Sequence, residues 1–595
     1  MLTLLDYGVI AFYFIFMSSL GWYFRRGNSD SSDYFRAGGI MPWWLAGASA
    51  FMGAFSAWTF TGAAGIAYEG GFVAIIIYWA NSVGFAVAAL WFAARFRQTR
   101  SISVIEVIRQ RLGATNEQIV VWLGIPLALA RAAIWLYGLA IFISPVFGLE
   151  VRTVIIVCGI VVVLVSALGG AHAVVAGDFM QALLLIPITI IMAVLALERT
   201  NGVSALIEKL PPGHLDLIAS NLPGFGLFWL VALLFEKILF GNNVSSAGRY
   251  LCVRDSREAR RAASFAAVLF LVGSVLWFIP AFAARALNLD LGALFPGIAK
   301  PSETAYAAMA VLTLPSGLLG LLVTGLIATT LSSMDSGLNA NAGTFVRGVY
   351  RPLLRPKASE KELVRAGQLT TAALGAAIVL LALEYSSWRN VGVFSLMFNL
   401  SAMLLAPGAV PLFWCLFTRR SPDWAVWSSQ LLGFANSAAI LWLPGTAWFA
   451  SAHILSPDQV AWLHTNEYSV TMVSNTLLCS AWFWIVTCFG PSPRPARQDE
   501  INALFAAIDR PIQANETAGA IGPLARSIAR LCLVYGGFIT VVAILPNSLR
   551  GHLGLFFCAA FMGVVGFVIH RLHRASTVRL ASVNPTSETS PSSSP

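Results

Sequence analysis

Residues 324–350 read TGLIATTLSSMDSGLNANAGTFVRGVY. The stretch begins as an apolar run and then fills with hydroxyls, amides and one carboxylate. Thr329, Ser332, Ser333 and Ser336 fall at i, i+3, i+4 and i+7, which puts them on one face of a helix, with Asp335 and Asn339 flanking that face. In hydrocarbon such a stripe costs free energy unless it faces a cavity, a partner or an ion. Its oxygens suit a small hard cation, and the helix reads as one half of a sodium site.

The rest of the chain agrees with a helix in hydrocarbon. Of 595 residues 57% are hydrophobic and only 11% charged, and the mean hydropathy is +0.75, a membrane composition. The formal charge of +10 is accounted for by loops and does not indicate a nucleic-acid partner. The seven cysteines show neither zinc spacing nor a disulfide framework. The first apolar run lacks a basic leader and a small-residue cleavage site, so it reads as a retained span.

About fifteen apolar runs are long enough to cross a bilayer, the first near 5–24 and the last near 553–572. Alternate loops carry the arginines: Arg25, Arg26 and Arg36; Arg95 to Arg111; Arg254 to Arg261; Arg347 to Arg365; Arg419 and Arg420. Placing this set in the cytoplasm puts the N-terminus outside and the C-terminus inside, with a bacterial inner (plasma) membrane as the expected location. The predicted organisation is a first span and loop (1–41), two five-helix units (42–197 and 198–417), accessory helices (418–490), a cytoplasmic linker (491–526), two extra spans (527–575) and a disordered tail (576–595). Residues 102–112 read as a short surface helix. In the linker, Ile501, Leu504, Phe505 and Ile508 form one apolar face.

Two spans are weakened in their middles. In PWWLAGASAFMGAFSAWTFTGAAGIAY (42–68), Gly53, Gly62 and Gly65 and the small residues around Ser56 interrupt the helix; in the seventh span Gly241-Asn242-Asn243 follows an apolar half. An interrupted helix frees carbonyls that can replace a cation's water. The breaks are five spans apart, an odd number, so two five-span units would be inverted relative to each other, as in secondary transporters. Packing glycine is the alternative for either segment alone.

These segments resemble the sodium:solute symporter family, whose members carry sugars, proline, pantothenate, iodide and sialic acid. FRAGGIMPWWLAGASAF with SAWTFTGAAGIAYEGG is similar to its first core helix, GGAHAVVAGDFMQ to its fifth, and GRYLCVRDSREARR to its arginine-containing segment after the sixth. LIATTLSSMDSGLNANAGTF is similar to its eighth, the most specific match. The resemblance covers roughly residues 1–490 and implies an all-α polytopic membrane protein with a 5+5 inverted-repeat, leucine-transporter-like core. It further implies a symporter importing a small organic solute by alternating access, with Na+ as the coupling ion, the lipid bilayer as surroundings, and neither a nucleic-acid partner nor an obligatory protein partner. Carried over, the main sodium site uses the carbonyls of Met52, Phe55 and Thr329 and the hydroxyls of Ser332 and Ser333. A second cation or proton site falls on Asp178, Ser332, Asp335 and Ser336. Asp335 departs from the family pattern, which has a hydroxyl there. The substrate wall implied by resemblance is Ala54, Thr59, Tyr78, Trp79, Asn81 and Asn243. Ala54, Thr59 and Tyr78 replace polar groups of the sugar carriers, which argues against a sugar.

Three further charges lie inside spans. Arg131 sits about twelve residues, roughly 18 Å, into its helix, and Glu236 and Lys237 lie about as deep from the other side. Arg131 is a substrate-binding candidate by its cost alone; an Arg131–Glu236 bridge is the structural alternative. One sodium entering at about 100 mV and down a tenfold gradient supports several-hundred-fold accumulation of a neutral solute. The rival classes are a transporter-derived sensor, a channel and a membrane enzyme. The linker and tail are too short for a kinase, and a channel needs no paired breaks. No His-Asp or Ser-His constellation falls inside the spans, His172 being the one histidine near the core, so no enzyme is expected.

Overall fold

The computed structural model describes residues 2–25, 39, 41–166, 171–218, 222–388, 391–446, 455–512, 516 and 522–583. At some helical positions, His172, Ser332, Asp335, Ser336, Asn339 and Arg347 among them, it describes the backbone only. The helices used below are α1 (Leu4–Arg25), α2 (Trp43–Gly53), α3 (Gly62–Gly70), α4 (Val73–Gln98), α5 (Val104–Phe147), α6 (Val151–Ser166), α7 (Ala171–Arg199) and α8 (Leu227–Asn242). They continue with α9 (Gly248–Leu251), α10 (Ser256–Ala286), α11 (Ala305–Thr313), α12 (Leu318–Phe345), α13 (Glu360–Ser387), α14 (Val393–Trp414) and α15 (Trp424–Trp442). The last four are α16 (Glu467–Phe489), α17 (Pro495–Ile508), α18 (Gly522–Ile544) and α19 (Leu549–Val583). Among the described residues there is no strand, only an isolated bridge between Met41 and Val253.

Among the described residues nine helices are long and apolar enough to cross a membrane, and three shorter apolar ones accompany them. The runs that fall short of that length or hydropathy, such as α2 with α3, α8 and α15, are interrupted or carry polar side chains. One group of helices packs α2 and α4 against α10, with α8 on the far side of α4; a second joins α5, α6, α12 and α13. Helix α7 touches α2 and α10 of the first group and α12 of the second. α15 and α16 pair beside α14, and α18 and α19 form a hairpin against α7.

The first break lies where the sequence predicts it. α2 ends at Gly53, Ser56 is extended (φ −154°, ψ 179°), a 3₁₀ turn covers Ala57–Phe60, and α3 starts at Gly62. Only Gly53 of the three glycines stands at the break. A Cβ at Gly62 would meet the Trp58 indole at 2.7 Å, and one at Gly65 would meet Glu303 at 3.0 Å, so these two admit neighbours instead. The second break falls at Asn243, the last of the three predicted residues: α8 runs through Asn242, Asn243 is extended, and a 3₁₀ turn leads to α9.

Other boundaries also shift. The surface helix at 102–112 is capped by the Ser103 hydroxyl and continues into α5 across a kink at Gly113, whose φ of +83° only glycine adopts cheaply. α19 runs to Val583, past the predicted start of the tail at 576, and residues 584–595 lie outside the described residues. The linker helix α17 buries Ile501, Leu504, Phe505 and Ile508 as its pattern requires, and the guanidiniums of Arg111 and Arg419 lie over the Phe505 ring.

Candidate functional site

The break between α2 and α3 lies against α12. The amide of Ala57 donates to the Thr330 hydroxyl at 3.3 Å, which fixes the two segments side by side. The Phe55 amide donates to the Met52 carbonyl at 3.1 Å, while among the described residues no N–H donates to the carbonyl of Phe55. Thr329 is buried, and its hydroxyl donates back to the Leu326 carbonyl at 3.0 Å, leaving its own carbonyl as the atom the sodium reading uses. Ser333 is half-buried. The side chains of Ser332, Asp335 and Ser336 lie outside the described residues. Thr330 was absent from the sequence-derived set because it stands off the hydroxyl stripe, and only the packing reveals its contact.

Asp178, on α7, is buried. It accepts a hydrogen bond from the Ser49 hydroxyl of α2 and an ion pair from Arg249 of α9 at 3.3 Å. One carboxylate therefore joins α2, the first half of the first interrupted helix, to α9, the short helix that follows the second break. Ser49 gave no signal in sequence because it belongs to no stripe.

A cavity of about 410 Å³ opens beside the first break, between α2, α4, α5, α8 and α14. Of the predicted wall it is lined by Ala54, Tyr78, Asn81 and Arg131; Thr59, Trp79 and Asn243 are not part of its lining. The Tyr78 hydroxyl donates to Thr59 at 2.6 Å, so these two polar groups satisfy each other. Trp79 is a correction: its indole donates to the Leu271 carbonyl at 3.2 Å on the exposed side of α10, because one residue along a helix turns a side chain by about 100°. Asn243 lines an adjoining lobe of about 300 Å³ that shares Arg131 with the main cavity.

The cavity's charges are arranged unequally. Glu236 is not bridged to Arg131, which corrects the structural alternative. It pairs with its neighbour Lys237 at 2.6 Å and accepts from the Tyr468 hydroxyl at 2.7 Å. Lys237 also lies over the Phe398 ring at 5.4 Å. Arg131 stacks on Trp135 at 5.2 Å and has no carboxylate partner among the described residues. Tyr468 carried no sequence signal because it is more than 200 residues from Glu236.

One side of the cavity is closed by rings. Trp58 stacks on Phe394 at 5.9 Å and donates through its indole to the Val393 carbonyl at 3.3 Å. Phe394 stacks on Phe398 at 4.5 Å, and Phe225 and Trp229 continue the layer. Above it Glu303, in a 3₁₀ turn of the 287–317 connection, accepts from the Phe394 amide at 3.1 Å and is 1% exposed. Burial pushes its carboxyl up to about 7. The other end of the cavity reaches Arg249 and Tyr250, next to an arginine-rich loop.

The comparisons with known proteins point one way. The Sodium:solute symporter family profile matches residues 34–433. The chain is 28% identical to a Sodium/glucose cotransporter of Vibrio parahaemolyticus over 64% of this chain and 74% of that one. It is 25% identical to the human Sodium/myo-inositol cotransporter 2 over 72% of this chain and 69% of that one. Its fold is similar to the substrate-bound outward-open form of a Na+-coupled sialic acid symporter, with a TM-score of 0.65, 20% identity, and coverage of 82% of this chain and 99% of that one. With a profile spanning most of the length and a broken helix set against a hydroxyl-bearing one, the chain belongs to the sodium:solute symporter family.

Proposed function

We propose that the chain is a sodium-coupled symporter that imports a small organic anion by alternating access. The observation that carries the anion is Arg131. Lys237 and Arg249, the other two cations of the cavity, each have a carboxylate, while Arg131 has none among the described residues. A guanidinium that lines the cavity with only the Trp135 ring against it is stabilised by a charge that arrives with the solute. The relatives named for glucose and myo-inositol handle neutral polyols, but here Thr59 and Tyr78 bond to each other and Ala54 has no polar atom to offer. The Na+-coupled sialic acid symporter supports the anion as a precedent on this fold.

In this reading sodium is held by the carbonyls of Met52, Phe55 and Thr329 and the hydroxyls of Ser332 and Ser333. Its binding ties the α2 break to α12, and by linkage sodium and solute raise each other's affinity equally. The fifteen-span topology with two inverted five-helix units, N-terminus outside, places the ring layer outside and the cavity open to the cytoplasm. The structure is then the inward-facing member of the cycle, which rocking of the two helix groups converts to the outward one.

An anion changes the energetics. Its charge cancels that of one sodium, so one ion leaves only the chemical gradient, about tenfold accumulation for a tenfold gradient. Two cations restore net positive charge and add about 2.3 kcal/mol per 100 mV. The second site at Asp178, with Ser332, Asp335 and Ser336, is therefore the one such a symporter needs, and a cation or proton there replaces the Arg249 pair.

Uptake into proteoliposomes, with an inward sodium gradient, tests the function. Carboxylates are expected to accumulate in the wild type and not in Arg131→Gln, and sugars in neither. Preferential uptake of a sugar sinks the anion. Thermal stabilisation by sodium that survives Ser332→Ala with Ser333→Ala shows the ion site to be elsewhere.

A further inference from the structure

The lobe beyond Arg131 is not needed by a small anion seated in the main cavity, yet it is built. It lies between α5, the turn after α8, α14 and α15, and encloses about 300 Å³. Its walls are mostly apolar, with Leu123 and Leu127 on α5 and Leu412 and Phe434 on α14 and α15; Ser245 and Ser246 line it at the turn after α8, and Arg131 is the one charged residue lining it among the described residues. Two glycines, Gly124 on α5 and Gly408 on α14, face it. A Cβ built on either meets nothing within 4 Å, so the space exists because side chains are missing there. Asn243 also lines the lobe, but its amide is spent on the carbonyls of Leu239 and Phe240 and on the Ser245 amide. Gln430 is different: it is 3% exposed, and its Oε1 has no hydrogen-bond partner. A buried amide left in that condition is costly unless something supplies the missing bond.

We infer that this lobe is a chain subsite, and that the solute is an elongated carboxylate whose charged end rests on Arg131 while its apolar body runs along Gly124 and Gly408 to a terminal hydroxyl or amide at Gln430. The inference rests on the reading of Arg131 as the anion-binding group. The three features line one lobe, and such a molecule presents a group to each: a cation, an apolar corridor, and an unsatisfied amide. A compact polyol offers more hydroxyls to the corridor than Ser245, Ser246 and Gln430 can match, and loses by desolvation what it gains by fit. Each methylene entering the corridor leaves water and gains affinity, by roughly fourfold.

Binding of linear monocarboxylates from acetate to octanoate, and of their ω-hydroxy counterparts, to the full chain in nanodiscs with saturating sodium tests this. The signal of Arg131→Gln serves as the blank for partition into lipid. In the wild type the affinity should climb by roughly fourfold per methylene and then level off when the corridor is full. Gly124→Leu and Gly408→Leu, on opposite walls, should each move the plateau to shorter chains and leave acetate unchanged. Gln430→Leu should abolish the preference for the ω-hydroxy acids at the plateau length. The same affinity along the whole wild-type series, or a plateau that neither leucine moves, overturns the chain subsite while leaving the anion at Arg131 standing. A wild type that binds no carboxylate above the blank overturns both.

Discussion

The two interrupted helices are similar in sequence style and opposite in chemistry. At the second break the chain satisfies itself. Asn242 donates to the carbonyls of Ile238 and Gly84, Asn243 to those of Leu239 and Phe240, and the Ser246 hydroxyl to those of Gly241 and Asn243. Side-chain amides and a hydroxyl cap the last turn, leaving few acceptors for an ion. At the first break the residues are Gly53, Ala54 and Phe55, which have no polar side chains, and among the described residues their carbonyls accept no backbone hydrogen bond. Phe55 is buried, and a buried carbonyl without a donor is costly unless something such as a cation satisfies it. The second break is thus finished by its own side chains, while at the first, where Ser56 caps only the turn that follows, the Phe55 carbonyl is left over.

The largest effect that sharpens this contrast is expected from Asp178→Asn, which removes the charge joining α7 to α2 and α9. Loss of a buried pair leaves Arg249 uncompensated, and about 3 kcal/mol of stability should go, read by thermal unfolding in detergent. A destabilisation of the same size that sodium fully reverses contradicts the pairing, since the ion would then be doing the carboxylate's work. Next, Asn243→Ala uncovers two carbonyls and the Ser245 amide, at about 2 kcal/mol, with the sodium midpoint unchanged. A shift in that midpoint would make the second break part of the ion site. The converse is expected of Thr330→Val, which leaves the Ala57 amide without its acceptor: about 1 kcal/mol, seen as a roughly fivefold weaker sodium midpoint with little change in the sodium-free melt. An unchanged midpoint breaks the assignment of the first break to the ion.

A pH-dependent effect concerns the ring layer. The Glu303 carboxyl lies above its ordinary value of 4.5, at about 7, because it is buried. A raised carboxyl binds its proton more tightly in the folded state, so its stabilising contribution is complete below 4.5 and is lost as the pH rises through about 7. Glu303→Gln keeps an acceptor for the Phe394 amide and removes the titration. The melting temperature of the wild type should therefore fall relative to the variant between pH 5 and 8, by a few degrees. Parallel curves would show that the carboxyl does not titrate in that window.

Much of this was legible in the chain. The hydroxyl stripe of 329–336 marks a face because helical period is a local property. The break at 53–56 is visible because glycine and small residues hold a helix poorly and Ser56 favours the start of a new turn over the continuation of the old one. Arg131 stands out because a lone charge in an apolar run is expensive wherever the run packs. Alternation of arginines gave the loops. The second break falls within the predicted Gly241-Asn242-Asn243, at its last residue, because the capping amide of Asn243 ends the helix there.

What the sequence by itself determined is the membrane class, the helical make-up and the family. What only the tertiary structure decided is partnership: that Glu236 belongs to Lys237 and Tyr468, that Asp178 belongs to Ser49 and Arg249, that Trp79 turns away from the cavity, and that two glycines open a lobe beside Arg131. The physical reason is range. Period, propensity and hydropathy act over one or two turns and are written in consecutive residues. A charge is satisfied by whatever group the packing of distant helices brings within about 3 Å, and consecutive residues carry no record of that.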